Sequence, residues 1–213
     1  MTRPLPWSAL LFVPWTELLA AGEASAQRAF EAREETARSI RLYTDRLIPG
    51  LLQVPGYART VLAEAIRRYP VPGNDLEEAV TARTARQAVL TDPDTTVHAV
   101  VHEDALYQPV GQAGVMAVQM RHLTGLAAVP PVALRLGVLP RATGYHPALA
   151  GGGFIVYDEA VEQETTGGLL TLSDPAVVAD CRQQHDVLAE RAVYGSAAVE
   201  LIGRARLHWE QAT

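Results

Sequence analysis

Arg83 and Gln87 stand where charged and amide side chains are least expected. Asn74 or Asp75 can cap a helix that runs to about Leu90. With Leu76 at zero and 100° added per residue, Val80, Arg83, Gln87 and Leu90 fall within about 40° of it. The stripe that should face a core therefore carries a guanidinium and an amide at its centre, with Arg86 at its edge. A guanidinium keeps its proton and must meet a carboxylate, several carbonyls or a ligand. Gln119 repeats the pattern on a helix from 112, inside the sector formed by Val115, Met116, Met120, Leu123 and Leu126. Two readings stay open. In one, Arg83 is paired within the protein and the amides satisfy nearby backbone. In the other, Arg83, Arg86, Gln87, Glu103 and Gln119 bound a polar cavity that receives a small ligand.

Other chemistry is narrowed by what the chain omits. All 18 basic residues are arginine, which excludes a lysine Schiff base, a phosphate-loop lysine and a lysine general base. The single cysteine, Cys181, excludes an internal disulfide and a multi-cysteine zinc site. It lies on a helical stripe with Val177, His185 and Leu188 and reads as a buried, inert thiol. His102-Glu103-Asp104 resembles the start of a zinc-protease motif, but position 106 is leucine. His98 and His102, four residues apart on a strand, are separated by about 13 Å. No metal and no cofactor are expected. Glu103 or Asp104 reads as a polar contact or a cap at a strand end, and Glu162 and Glu164, about 6.6 Å apart on one strand face, read as solvent-facing acids. The glycines at 151–153 lack the continuation of a phosphate loop. No serine sits in a nucleophile-elbow motif. An enzyme built on this chain would have to move protons with Glu103 or His146.

The elements that position these groups fit one domain. The chain has 213 residues, 48% apolar and 20% charged, enough for a packed core. The formal charge is -6 and the arginines are dispersed; the densest run, from Arg33 to Arg46, is interleaved with Glu31, Glu34, Glu35 and Asp45 and reads as a solvated helix face. Direct nucleic-acid binding is not expected. No run nears the ~20 apolar residues of a membrane span, and no export signal is visible, so the cytoplasm is the expected address. Residues 1–15 read as irregular, anchored by Trp7, Phe12 and Trp15. Thr16 caps a long helix to about Tyr43, and Pro55-Gly56 opens a helix to about Arg68. Pro70, Pro72 and Gly73 form a turn. Strands are predicted over 97–101, 132–138, 154–157, 160–164 and 169–172, with a helix over 111–127. Asp174-Pro175 starts a helix to about Val193, and Ser196 caps the last. The fold class is α+β: N-terminal helices packed with a small mixed β-sheet, then C-terminal helices. The single domain 1–213 divides into a helical part (1–92), a sheet-containing part (93–174) and C-terminal helices (175–213).

Several blocks also resemble a known family. Ile48-Pro49-Gly50-Leu51-Leu52-Gln53 with Gly56-Tyr57-Ala58-Arg59, then Arg83-x-x-Arg86-Gln87-x-x-Leu90, His102-Glu103-Asp104-Ala105-Leu106, Val115-Met116-x-x-Gln119 and Gly144-Tyr145-His146-Pro147 run colinearly along the chain. The series resembles domain-of-unknown-function family 5753, which follows an Xre-type helix-turn-helix in actinobacterial, antitoxin-like transcriptional regulators. The resemblance implies a regulatory domain that senses a small molecule or contacts a partner protein, such as a second copy or a full-length regulator. A helix-turn-helix head is absent from these residues, and Met1 with the proline-rich start favours a natural stand-alone form. The alternative is an enzyme of a specialised biosynthetic pathway.

Overall fold

The structure is a computed structural model that describes residues 9–70, 75–144, 146–149 and 151–212. Trp7, Asn74, Tyr145 and most of the turn expected at 70–73 lie outside these. Among the described residues the fold is α+β, with seven α-helices and one seven-stranded mixed sheet.

The elements are β1 (Leu10–Pro14), α1 (Trp15–Leu18), α2 (Glu23–Thr36), β2 (Ser39–Thr44), α3 (Pro55–Arg68), α4 (Leu76–Ala85), β3 (Thr96–His102), α5 (Ala113–Ala128), β4 (Leu134–Leu139), β5 (Phe154–Val156), β6 (Val161–Glu164), β7 (Gly168–Leu172), α6 (Pro175–Arg191) and α7 (Gly195–Gln211). The strand order is β1-β7-β6-β5-β2-β3-β4. The strands β2, β3 and β4 are parallel, joined by helical crossovers. On the other side of β2 the sheet turns antiparallel, through β5, β6, β7 and β1. β2 is thus where the two halves of the sheet meet.

Alternation assigns the two faces. Ile40 and Leu42 of β2, with Val97, Ala99 and Val101 of β3, pack into the larger core beneath α3, α5 and α7. Tyr43, Val100 and Leu139 point the other way, into a second core with Val178, Leu188 and Ala189 of α6. Asp174 caps α6, accepting hydrogen bonds from the N–H groups of Ala176 and Val177, and Pro175 follows at the first turn. A third cluster, Ala24, Leu62, Ala79 and Val80, joins α2, α3 and α4.

The first part of the chain departs most from expectation. The long helix predicted from Thr16 to Tyr43 is three elements: α1, α2 and the strand β2. The chain leaves α2 at Thr36, and the N–H groups of Arg38 and Ser39 donate to the carboxylate of Asp158, at 2.8 and 3.0 Å. That partner lies 120 residues away, so periodicity alone could not reveal the break. The helical part assigned to 1–92 accordingly supplies two of the seven strands. Residues 10–14 are an edge strand on β7 instead of irregular chain, and Phe12 is exposed rather than an anchor. Trp15 does anchor: its indole N–H donates to the Thr165 carbonyl at 3.0 Å. Thr16 lies inside α1, and Ser196 lies inside α7, with Tyr194 at the cap position.

Candidate functional site

The site is organised by a stretch of buried, irregular chain between β2 and α3. Pro49 precedes a single 3-10 turn at Gly50–Leu52, and Pro55 starts α3. Leu51, Leu52 and Gln53 are buried; the turn satisfies the Leu52 and Gln53 N–H groups, and the Leu52 and Gln53 carbonyls and the Val54 N–H that follow need partners from elsewhere. Amide side chains provide them. Gln119 of α5, fully buried, accepts from the Val54 N–H at 2.8 Å and donates to the Leu52 carbonyl at 2.7 Å. Gln87 donates to the Gln53 carbonyl at 2.6 Å. Gln53 itself donates to the Ile48 carbonyl at 2.7 Å, and the Ile48 N–H donates to the Tyr57 hydroxyl at 3.1 Å.

The arginines attach to this scaffold. Arg86 forms a two-pronged ion pair with Glu34 of α2, at 2.8 and 2.6 Å, and donates to the Gln27 side-chain oxygen at 2.6 Å. The Phe30 ring lies 5.1 Å from its guanidinium carbon. The pair is nearly solvent-free, with side chains 8% and 2% exposed. Burial pulls the Arg86 pKa down, but the Glu34 hydrogen bonds and charge outweigh it and hold the group above its ordinary value. Arg83 differs. It donates to the side-chain oxygens of Gln27 and Gln53, both at 3.1 Å, and among the described residues no carboxylate lies within ion-pair distance. Burial, and then the neighbouring Arg86 charge, push its pKa down to about 10.

Both arginines line a hollow of about 680 Å³. Its floor is the sheet face bearing Ile40, Leu42, Ile155 and Leu169; α2 and α4 form one wall, and the 151–153 glycines lie on another side. The size suits a metabolite. Glu162 lies in the wall, 2% exposed and paired with Arg33, so it is not the solvent-facing acid expected; its strand neighbour Glu164 is exposed. The Arg33–Arg46 run is likewise no solvated helix face, since Glu34 is buried and paired. The Thr44 hydroxyl is a buried atom of the lining with no hydrogen-bond partner.

Of the five residues expected to bound one cavity, the structure brings Arg83 and Arg86 to it. Gln87 and Gln119 brace the 48–54 chain from outside the lining. Glu103 is elsewhere: it follows β3, and its carboxylate accepts from the Arg141 N–H at 2.9 Å. His146, like Glu103, does not line the hollow; its Nδ1 accepts from the Ala148 N–H. Sequence reasoning missed Gln27, Glu34 and Gln53. A signal existed for the first two. Glu23, Gln27, Phe30 and Glu34 recur at helical spacing, and two of the four are carboxylates with one amide between.

A family profile described as "Domain of unknown function (DUF5753)" matches residues 27–204. The chain belongs to this family. The matched span includes the Glu34–Arg86 pair, Arg83 and every side chain that braces the 48–54 chain. Among curated proteins none matches the sequence. A solved structure of TrmBL2, described as an archaeal chromatin protein with a novel mode of DNA binding, aligns with 91% of this chain and 56% of its own. This chain is 14% identical to it, with a TM-score of 0.38, a likeness that carries no argument.

Proposed function

We propose that the chain is a ligand-sensing domain related to antitoxin-like transcriptional regulators, and that it takes a small acidic or amide-bearing metabolite beside Arg83. One observation carries the reading. Arg83 borders a hollow of metabolite size and donates to two neutral amide oxygens, and among the described residues no carboxylate lies within ion-pair distance, the charges of Glu23, Glu164 and Glu34 acting on it from farther away. A desolvated cation in that state gains most from an anion that enters the hollow. The neighbouring Arg86 is already matched by Glu34, which leaves Arg83 as the group that discriminates. The signal would pass to a partner protein, a second copy or a full-length regulator in the cytoplasm, without direct nucleic-acid or membrane contact by this domain.

The test is a thermal-shift screen with carboxylate- and amide-bearing metabolites. A ligand present at 100 times its Kd adds about 2.7 kcal/mol, or about 5–10 °C for a chain of this length. Those shifts should vanish in Arg83→Ala, whose own melting and circular dichroism report that it folds. No shift from any such compound, or an undiminished shift in Arg83→Ala, would remove the basis of the proposal. A catalytic reading on Glu103 and His146 has less support, because both side chains are committed to backbone N–H groups outside the hollow.

A further inference from the structure

The hollow beside Arg83 adjoins a second one, of about 450 Å³, at the carboxyl ends of β2 and β3. The two share Tyr43, Asp45, Arg46 and Leu149 as lining. Around them the cations are used unequally. Arg86 is paired with Glu34, Arg33 with Glu162, and Arg141 with Asp104 while its guanidinium also lies over the Tyr107 ring. Arg83 and Arg46 are the lining arginines without a carboxylate among the described residues. Next to Arg46 in the shared wall is Asp45, an anion that also has no hydrogen bond or ion pair there. Thr44 precedes both, with its buried hydroxyl unpartnered. Asp45 and Arg46 thus present an anion and a cation side by side. They do so where β2 ends, between a parallel and an antiparallel neighbour. In open α/β sheets the carboxyl ends of parallel strands, here β2 and β3, are where ligands commonly bind.

Building on the ligand-sensing reading, we infer that the shared wall reads the α-ammonium and α-carboxylate of an amino acid, at Asp45 and Arg46, while an acidic or amide end of the same molecule reaches Arg83. A simple dianion would suit Arg46 and Arg83 but would face Asp45 with like charge. A zwitterionic head matches both adjacent groups. The distal carboxylate or amide then adds an acceptor to Arg83, whose present hydrogen bonds go to two side-chain amides.

The experiment is titration calorimetry with the full chain and two probe series. One contains the α-amino diacids glutamate, 2-aminoadipate and 2-aminopimelate; the other contains the matching diacids without the amino group. One amino diacid should bind at least about tenfold more tightly than its plain counterpart, a difference of about 1.4 kcal/mol. Asp45→Asn should erase that preference while plain-diacid binding persists, and Arg46→Ala should weaken both series. Asp45 and Arg46 lie at the surface end of β2, so these variants keep the buried scaffold, which circular dichroism checks. Equal binding of both series, unchanged by Asp45→Asn, overturns the amino-acid assignment and leaves the Arg83 reading standing. Absence of binding by either series overturns this inference, while the metabolite screen with Arg83→Ala decides the broader reading separately.

Discussion

Replacing Glu34 by glutamine tests whether the Arg86–Glu34 pair holds α2 to the 3-10 turn after α4. The substitution keeps the size and one acceptor oxygen but removes the negative charge. Arg86 stays charged, is 8% exposed, and retains only neutral company: the one amide oxygen left at position 34, Gln27 and the Phe30 ring. Breaking a buried pair from one side costs about 3–5 kcal/mol. For a domain of this length that is a fall of about 6–20 °C in melting temperature. The reverse substitution, Arg86→Met, strands a carboxylate in place of a guanidinium. A carboxylate can take up a proton, so this variant's deficit should shrink as pH falls, whereas that of Glu34→Gln should not. The double variant Arg86→Met/Glu34→Leu removes both charges and should lose less than about 2 kcal/mol. With Glu34→Leu alone as the remaining corner, the cycle would be run by urea unfolding at pH 7, and a coupling of at least about 3 kcal/mol is expected from the gap between the double variant and the summed Arg86→Met and Glu34→Leu singles. A Glu34→Gln loss below about 1 kcal/mol, typical of an exposed pair, or additive behaviour of the two singles, would refute the argument.

Two further outcomes follow from the same coordinates. Gln119→Leu removes both bonds to the 48–54 chain and leaves the Val54 N–H and Leu52 carbonyl unpaired, which should cost about 2–4 kcal/mol in urea unfolding; hydrogen exchange should accelerate first at Val54, whose N–H loses its acceptor, and unchanged exchange there would count against the bracing role. His98 and His185 stack edge-to-face between β3 and α6, with His98 also bonded to the Tyr194 hydroxyl at 2.8 Å. Burial, then His185 and the Arg135 and Arg41 charges, push His98 down to about 4, and burial and Arg41 lower His185. The unfolded chain therefore binds more protons than the folded one between about pH 4 and 6.5. Stability should be complete above that window and fall as pH drops through it; His98→Gln should flatten the slope, and an unaltered pH profile of melting temperature would exclude this cause.

The sequence by itself determined the α+β class and the helices α3, α5 and α6 to within a few residues, and marked the amides at 87 and 119 as core-facing; α4, expected to run to about Leu90, ends at Ala85 and continues as a 3-10 turn. These are local properties: stripe periodicity, proline at helix starts and an aspartate cap act within a turn or two. It also marked position 83 as anomalous, because a charge on an apolar stripe is visible without knowing its partner. What it left open was decided by partners distant in the chain. β2 exists because Asp158 and two neighbouring strands capture residues whose spacing also suits a helix. Arg86, placed at the stripe edge at 100° per residue, is buried because α2 packs against that side and brings Glu34 and Gln27 to it. Glu103 left the site because the end of β3 brings it to Arg141. Which arginine is matched and which stays open is a question of where Glu34 lands, 52 residues away, and only packing of α2 against α4 answers it.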